Sequence, residues 1–324
     1  ENIATVEPKD PPSMADVTGE SQGVVTIRAS LGILDATAAG HRYLVVSQGS
    51  SGRTEGAMVW TMPASGADRT KVAEIAPAVK LAAVPAGGRQ IVVASPQGIL
   101  SGYDVRGGGS GGMEITRDWE YNLGAVPTSL ALSGQSNTCA AATSDGLIYI
   151  LDSDTGDLHT RFQTPGGITD MDVAAGGTVV SSVHRDEMVR LWTPDAGRGL
   201  TAIPLNGDRP RFARFSLDAT LLAVAGRENV HIYRWNGGNS GRPAVARHVE
   251  RFWISPDGTR IAHDGERTED ASEALPSGIR AYALSEALPA RRNILGFGPS
   301  SERFYVVGTG KSAEVAQDNS LTVI

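Results

Sequence analysis

The chain has 324 residues and a mass of 33.9 kDa, with 40% hydrophobic and 20% charged residues. That is enough apolar material for a core and too little charge for a disordered chain. A net charge of −7 excludes the overall basic footprint of a typical nucleic-acid domain, and no apolar run approaches the ~20 residues that span a bilayer as a helix.

In chain order, residues 1–22 are polar and acidic and hold Pro8, Pro11 and Pro12. They read as an extended N-terminal segment, unlike a signal peptide. Because the chain opens on Glu1, an upstream segment is expected to have been removed. From residue 23 to 324 a unit of about 40 residues recurs, each reading as four short strands separated by turn residues. The 39 glycines and 17 prolines supply those turns.

Two early units are loose, one over residues 43–75 and one over 80–123. The clearest runs from Pro127 to Pro165. Its strands are 128–133, 138–143, 147–151 and 158–162, with Ser144-Asp145-Gly146 as a tight turn. Asp-Gly between two apolar runs is a strong hairpin signal, because both residues tolerate positive φ. The next unit repeats the plan at 168–173, 178–183 and 188–192. A further copy has strands at 211–216, 221–225 and 230–235. Another has 252–254, 260–262 and 279–282. The last has 294–297, 303–307 and 320–324 and lacks an outer strand. Residues 23–29 form an unpartnered strand that would complete it and remove an open sheet edge.

Phe215-Ser-Leu-Asp-Ala-Thr-Leu-Leu-Ala and Ile254-Ser-Pro-Asp-Gly-Thr-Arg-Ile-Ala resemble the strand–turn–strand of WD40 repeats, and Asp186-Glu-Met-Val-Arg-Leu-Trp192 resembles their middle hairpin. The resemblance covers nearly the whole chain after Gly23. It implies an all-β, seven-bladed WD40-like β-propeller with four-stranded antiparallel blades, closed by strand 23–29 in the last blade. It also implies that Asp186 and Trp192, with Asp145 in the preceding unit, belong to hydrogen-bonded structural tetrads. The repeats are degenerate. Thr193 follows Trp192 where the family has Asp, and the Gly-His opening is largely missing. A propeller outside the WD40 family is the alternative.

Apparent catalytic signatures fall in the wrong context. Gly308-Thr-Gly-Lys-Ser312 resembles the end of a phosphate loop but has Tyr305 where the first glycine belongs, and no helix pattern follows. Gly108-Gly-Ser-Gly-Gly112 contains G-x-S-x-G, yet it is a Gly/Ser tract rather than a strand-to-helix elbow. His41, His159, His184, His231, His248 and His263 are scattered without zinc-like spacing, and Cys139 is the only cysteine. No catalytic residue, metal site or cofactor is expected. The lone thiol and the absence of Asn-x-Ser/Thr fit an intracellular protein, cytoplasmic or nuclear.

Lys9, Lys71, Lys80 and Lys311 are the only lysines among 29 basic residues. The arginine excess is compositional in a chain this rich in Ala and Gly, but it also suits recognition of carboxylate and phosphate. Stacking the repeats places Arg185, Arg209, Arg211, Arg227, Arg251 and Arg267 on one sector of one face. An acidic or phosphorylated peptide would suit such a patch. Alternatively, Asp186, Glu228 and Glu266 neutralise these arginines locally. Two loops are long for their unit: the Gly-rich 104–113 and the acidic hairpin loop 264–278. The expected function is a non-catalytic protein–protein interaction scaffold within a larger complex. The alternatives are an RNA- or phosphopeptide-binding propeller and an enzyme with a central-channel site, for which Asp170 and Asp172 are the chief polar residues on inner strands.

Overall fold

The structure is a computed structural model. It describes residues 28–37, 40–48, 57–63, 70–75, 79–83, 90–107, 113–133, 135–174, 176–205, 207–216, 219–234, 246–247, 252–254, 260–263, 266–267, 280–283, 293–297, 303–307, 312–315 and 321–323. All of its regular elements are strands.

The first sheet runs β1 (Arg28–Thr37), β2 (Gly40–Gln48), β3 (Ala57–Pro63), β4 (Thr70–Ile75), each strand antiparallel to the one before. The second runs β5 (Leu81–Ala83), β6 (Gln90–Ala94), β7 (Ile99–Gly107), β8 (Met113–Asn122). The third is β9 (Pro127–Leu132), β10 (Thr138–Thr143), β11 (Leu147–Asp152), β12 (Leu158–Gln163), and the fourth is β13 (Ile168–Val173), β14 (Val180–His184), β15 (Met188–Trp192), β16 (Gly199–Pro204). Three described strands make the fifth: β17 (Phe212–Phe215), β18 (Leu221–Ala225), β19 (Val230–Arg234). Next come β20 (Ala246–Arg247), β21 (Phe252–Ile254), β22 (Arg260–His263), β23 (Glu266–Arg267) and β24 (Arg280–Ala283). Strands β21, β22 and β24 form a sheet, and β20 pairs with β23. The last sheet is β25 (Asn293–Phe297), β26 (Arg303–Val307), β27 (Ser312–Val315), β28 (Leu321–Val323).

Burial explains the sequence of each strand by its place in the sheet. First strands alternate: in β9, Pro127, Ser129 and Ala131 are buried while Thr128, Leu130 and Leu132 are half-buried. The second strands β6, β10, β14 and β18 are almost wholly buried, and β10 and β14 carry the small residues Ala140-Ala-Ala142 and Ser181-Ser182 there. Small side chains keep adjacent sheets at packing distance. The outer strand β12 is mostly exposed and carries His159, Arg161 and Gln163. The core therefore lies between sheets. Val92, Leu100, Tyr149 and Leu151 join the second to the third; Ile148, Ile150, Met171 and Trp192 join the third to the fourth; Leu191, Ile203, Leu222 and Val224 join the fourth to the fifth.

An aromatic wedge repeats at two of these junctions. The Trp119 ring of β8 lies over Gly102 and against Gly156 of the following sheet, and its indole N–H donates to the Ser153 carbonyl at 2.8 Å. Phe162 of β12 packs in the same way on Gly197 of the next sheet, 5.5 Å from the Trp192 ring centroid.

The strands depart from the expected plan in three places. Strand β27 stands between β26 and β28, so Leu321–Val323 is itself the outer strand of the last sheet, while Arg28 begins β1 opposite Gln48 of the first sheet. The last sheet therefore has four strands of its own, and the strand beginning at Arg28 is not its completion. Residues 1–27 lie outside the described residues. Secondly, β24 runs parallel to β22, so these two strands are not the arms of a hairpin around the acidic stretch. A parallel return needs a dozen or more residues, which 264–279 supply. Thirdly, Asp104–Gly107 is strand rather than loop: β7 and β8 stay paired out to Gly107 opposite Met113. Residues 108–112 and 308–311 lie outside the described residues.

Candidate functional site

In the third, fourth and fifth sheets the first strand is entered by a connection that meets the middle turn of its own sheet. The Ser144 amide donates to the Val126 carbonyl at 2.8 Å, and the Arg185 amide donates to the Gly167 carbonyl at 2.9 Å. In the fifth sheet the Arg211 side chain donates from Nε to the Gly226 carbonyl at 3.2 Å. Connections and turns of three consecutive sheets thus share one edge of the molecule.

That edge carries four of the predicted arginines. Arg185 is exposed, stacks beside Gly167, and has no ion-pair partner among the described residues. Arg209 bonds Glu187 of the preceding sheet at 2.7 Å, and Arg227 stands 3.7 Å from Glu228. Both pairs are well exposed, so each contributes little to stability. The Arg211 and Arg214 guanidiniums each lie 5.6 Å from the Phe212 ring centroid. Arg251 lies outside the described residues. Arg267 is in β23, in register with Ala246, and its side chain is not described. The structure thus brings Arg185, Arg209, Arg211 and Arg227 to one edge, interleaved with Asp186, Glu187, Asp208 and Glu228.

The tetrad residues separate. Asp186 accepts from Arg190 at 2.9 and 2.5 Å and from the Met188 amide at 3.3 Å, and the arginine bond holds its carboxyl below the usual value. Trp192 donates from Nε1 to Ser182 Oγ at 2.7 Å, and that hydroxyl lies 2.7 Å from His184 Nε2. Burial, helped by Arg190, holds the His184 imidazole below its ordinary value and therefore neutral. The connection here is Gly166-Gly167, without the Gly-His opening that the WD40 resemblance implies. In the third sheet, Asp145 accepts from Thr143 Oγ1 at 2.5 Å.

Two polar clusters stand out beside these, the first at a residue the sequence did not single out. Asp208, 9% exposed, accepts from the Glu228 amide at 2.7 Å, the Asn229 amide at 3.0 Å, Asn229 Nδ2 at 3.2 Å and His231 Nε2 at 2.8 Å. Burial works against its charge, but these donors outweigh it and hold the carboxyl below its usual value. A single carboxylate thus caps the whole β18–β19 turn. Its position directly after Gly207, in the connection before a first strand, was the available signal.

The second cluster joins first strands of neighbouring sheets. Asp170 Oδ2 accepts from the Ala213 amide at 3.1 Å and from Arg214 at 2.5 Å, and Asp172 Oδ2 accepts from the Phe215 amide at 2.7 Å. A first strand has one open edge, whose amides alternate with a period of two. Asp170 and Asp172 have the same spacing and fill that edge of β17. Burial pushes the Asp172 carboxyl up to about 6. Burial also opposes the charge on Arg214, but Asp170 and Asp172 outweigh it and raise its pKa. These two aspartates, the chief polar residues on inner strands, are engaged by backbone.

No family model matches the chain, and no curated protein matches it in sequence. Among solved structures it is similar to a chain of the "Crystal Structure of Mitotic Checkpoint Complex", with a TM-score of 0.57 and 15% identity over 100% of this chain and 95% of that one. At that identity the likeness is one of fold: all-β, with successive four-stranded antiparallel sheets that fit a WD40-like propeller. Among the described residues no helix is long and apolar enough to cross a membrane.

Proposed function

We propose that this chain is a seven-bladed WD40-like propeller acting as a non-catalytic interaction scaffold within a larger protein complex. Partners would bind at the edge formed by the connections and middle turns. The observation that carries the reading is the engagement of Asp170 and Asp172 by the amides of β17. Carboxylates spent on inter-sheet backbone bonds are poorly placed as general acids or bases, whereas Arg185, Arg209 and Arg227 are exposed. The similar solved chain belongs to a multiprotein assembly, which agrees with this reading.

The arginines alternate with Glu187 and Glu228, so the edge is mixed in charge. That favours a protein partner with charges of both signs over RNA or a phosphopeptide, which would call for an unbalanced basic surface. The test is affinity purification of the tagged full chain from its native cells, followed by sizing and mass spectrometry. A defined partner recovered at constant stoichiometry, and lost on combined Arg185→Glu and Arg227→Glu substitution with an unchanged circular dichroism spectrum, supports the proposal. A monomer that turns over a metabolite, or capture indifferent to the charge reversal, overturns it.

A further inference from the structure

The chain enters the first sheet at the edge that carries the arginines. Arg28 opens β1 opposite Gln48, the residue at which β2 passes into the middle turn of that sheet. Arg185 and Arg227 stand in the middle turns of the fourth and fifth sheets, and Arg209 and Arg211 in the connection between them. Neighbouring first strands pack in series from β1 to β17, and the connections from each outer strand to the next first strand are short, Ile75 to Leu81 being the first. Starts of first strands, connections and middle turns therefore follow one edge along the series.

That edge is mixed in charge, with a small excess of arginine. Arg190 takes Asp186, and backbone amides with His231 take Asp208. Glu187 and Glu228 remain against Arg185, Arg209, Arg211 and Arg227, and Arg185 has no ion-pair partner among the described residues. Residues 1–22 have the opposite balance: Glu1, Glu7, Asp10, Asp16 and Glu20 against Lys9. They too carry both signs, which suits an edge where arginine alternates with glutamate. Pro8, Pro11 and Pro12 restrict the segment and lower the entropy lost on holding it extended.

We propose that residues 1–22 lie back along this edge and cover Arg185. Reach permits it. The chain from Glu7 to Arg28 extends up to about 70 Å, and the fourth sheet is three steps on from the first, at about 10 Å each. Tethering favours it. A segment of this length is held at an effective concentration of about 1 mM, so a contact of about 0.3 mM strength occupies the edge most of the time. Where the edge takes a partner, the segment competes with it, a role that rests on the reading of this edge as the partner surface; the contact itself stands without that reading.

Labelling of arginines by phenylglyoxal, followed residue by residue in the full chain by mass spectrometry, tests the contact with no partner present. It compares the wild type with the combined Glu7→Gln, Asp10→Asn, Asp16→Asn and Glu20→Gln variant, whose substitutions lie outside every described strand. At low salt Arg185 should label about fourfold faster in the variant, while Arg161, exposed on the outer strand β12, labels alike in both. In about 0.5 M salt, where screening acts within about 5 Å, the difference at Arg185 should vanish. Equal Arg185 rates at low salt overturn the proposal. So does a difference shared by Arg161, or one that grows with protein concentration and so reports contact between copies. Partner capture that ignores the edge charges would overturn the reading of the edge as a partner surface and leave the labelling result as it stands.

Discussion

Asp208 and His231 meet across the β18–β19 hairpin, with Nε2 2.8 Å from Oδ2, and both side chains are nearly closed to solvent. The carboxylate serves two backbone amides as well, so it does for this turn what glycine and a short hairpin do elsewhere.

Replacing Asp208 by Ala leaves the Glu228 and Asn229 amides without their acceptor. The expected cost is about 2–4 kcal/mol, read as a shifted denaturation midpoint. Because the Asp208 carboxyl is held below its usual value, its contribution is full above the ordinary aspartate range and lost as pH falls through the lower folded value. The wild type should therefore shed stability in strong acid more steeply than Asp208→Asn. Parallel acid limbs would contradict this role.

Gly102 and Gly156 are needed by Trp119. A Cβ on Gly102 would stand 2.1 Å from the indole nitrogen, and one on Gly156 would stand 2.6 Å from the ring with φ already at +76°. Gly102→Ala should cost about 1–3 kcal/mol by overpacking and shift the Trp119 emission. A variant with wild-type melting and emission would show that the indole does not seat there.

Glu187 has φ of 67° in the turn where the preceding sheet uses Gly146. A non-glycine residue in that region carries about 1–2 kcal/mol of strain, whereas its exposed pair with Arg209 gives back at most about 1. Glu187→Gly should therefore leave the melting temperature unchanged or raise it by a few degrees. A marked fall would mean that the Arg209 pair outweighs the backbone.

Cys139 is fully buried and its thiol is pushed up to about 12. A thiol reagent at pH 8 should leave the native chain unlabelled and label it once in denaturant. Stoichiometric labelling under native conditions would contradict the packing of β10.

The third and fourth sheets were legible because their apolar runs are short and evenly spaced and their middle turns carry Asp-Gly or Asp-Glu. The last sheet was misread for a local reason: Ser312–Val315 is short and follows Gly308-Thr-Gly-Lys, which reads as turn. The parallel return of β24 left no trace, since pairing direction depends on where a long connection travels. The period-two spacing of Asp170 and Asp172 placed them on one face. What fills that face comes from more than forty residues away, and no local pattern encodes it. The arginine edge was legible as a cluster of charge, while the partners of Arg209 and Arg227 emerged only from the meeting of turns.

The wedges of Trp119 and Phe162 point forward along the chain, each into a glycine of the sheet that follows. During synthesis on the ribosome, a sheet whose last strand has emerged still lacks the neighbour that covers the far side of its aromatic ring. That cover arrives only when about forty more residues are out. A nascent chain that ends at residue 122 or residue 163 therefore lacks the later glycine on which that ring packs.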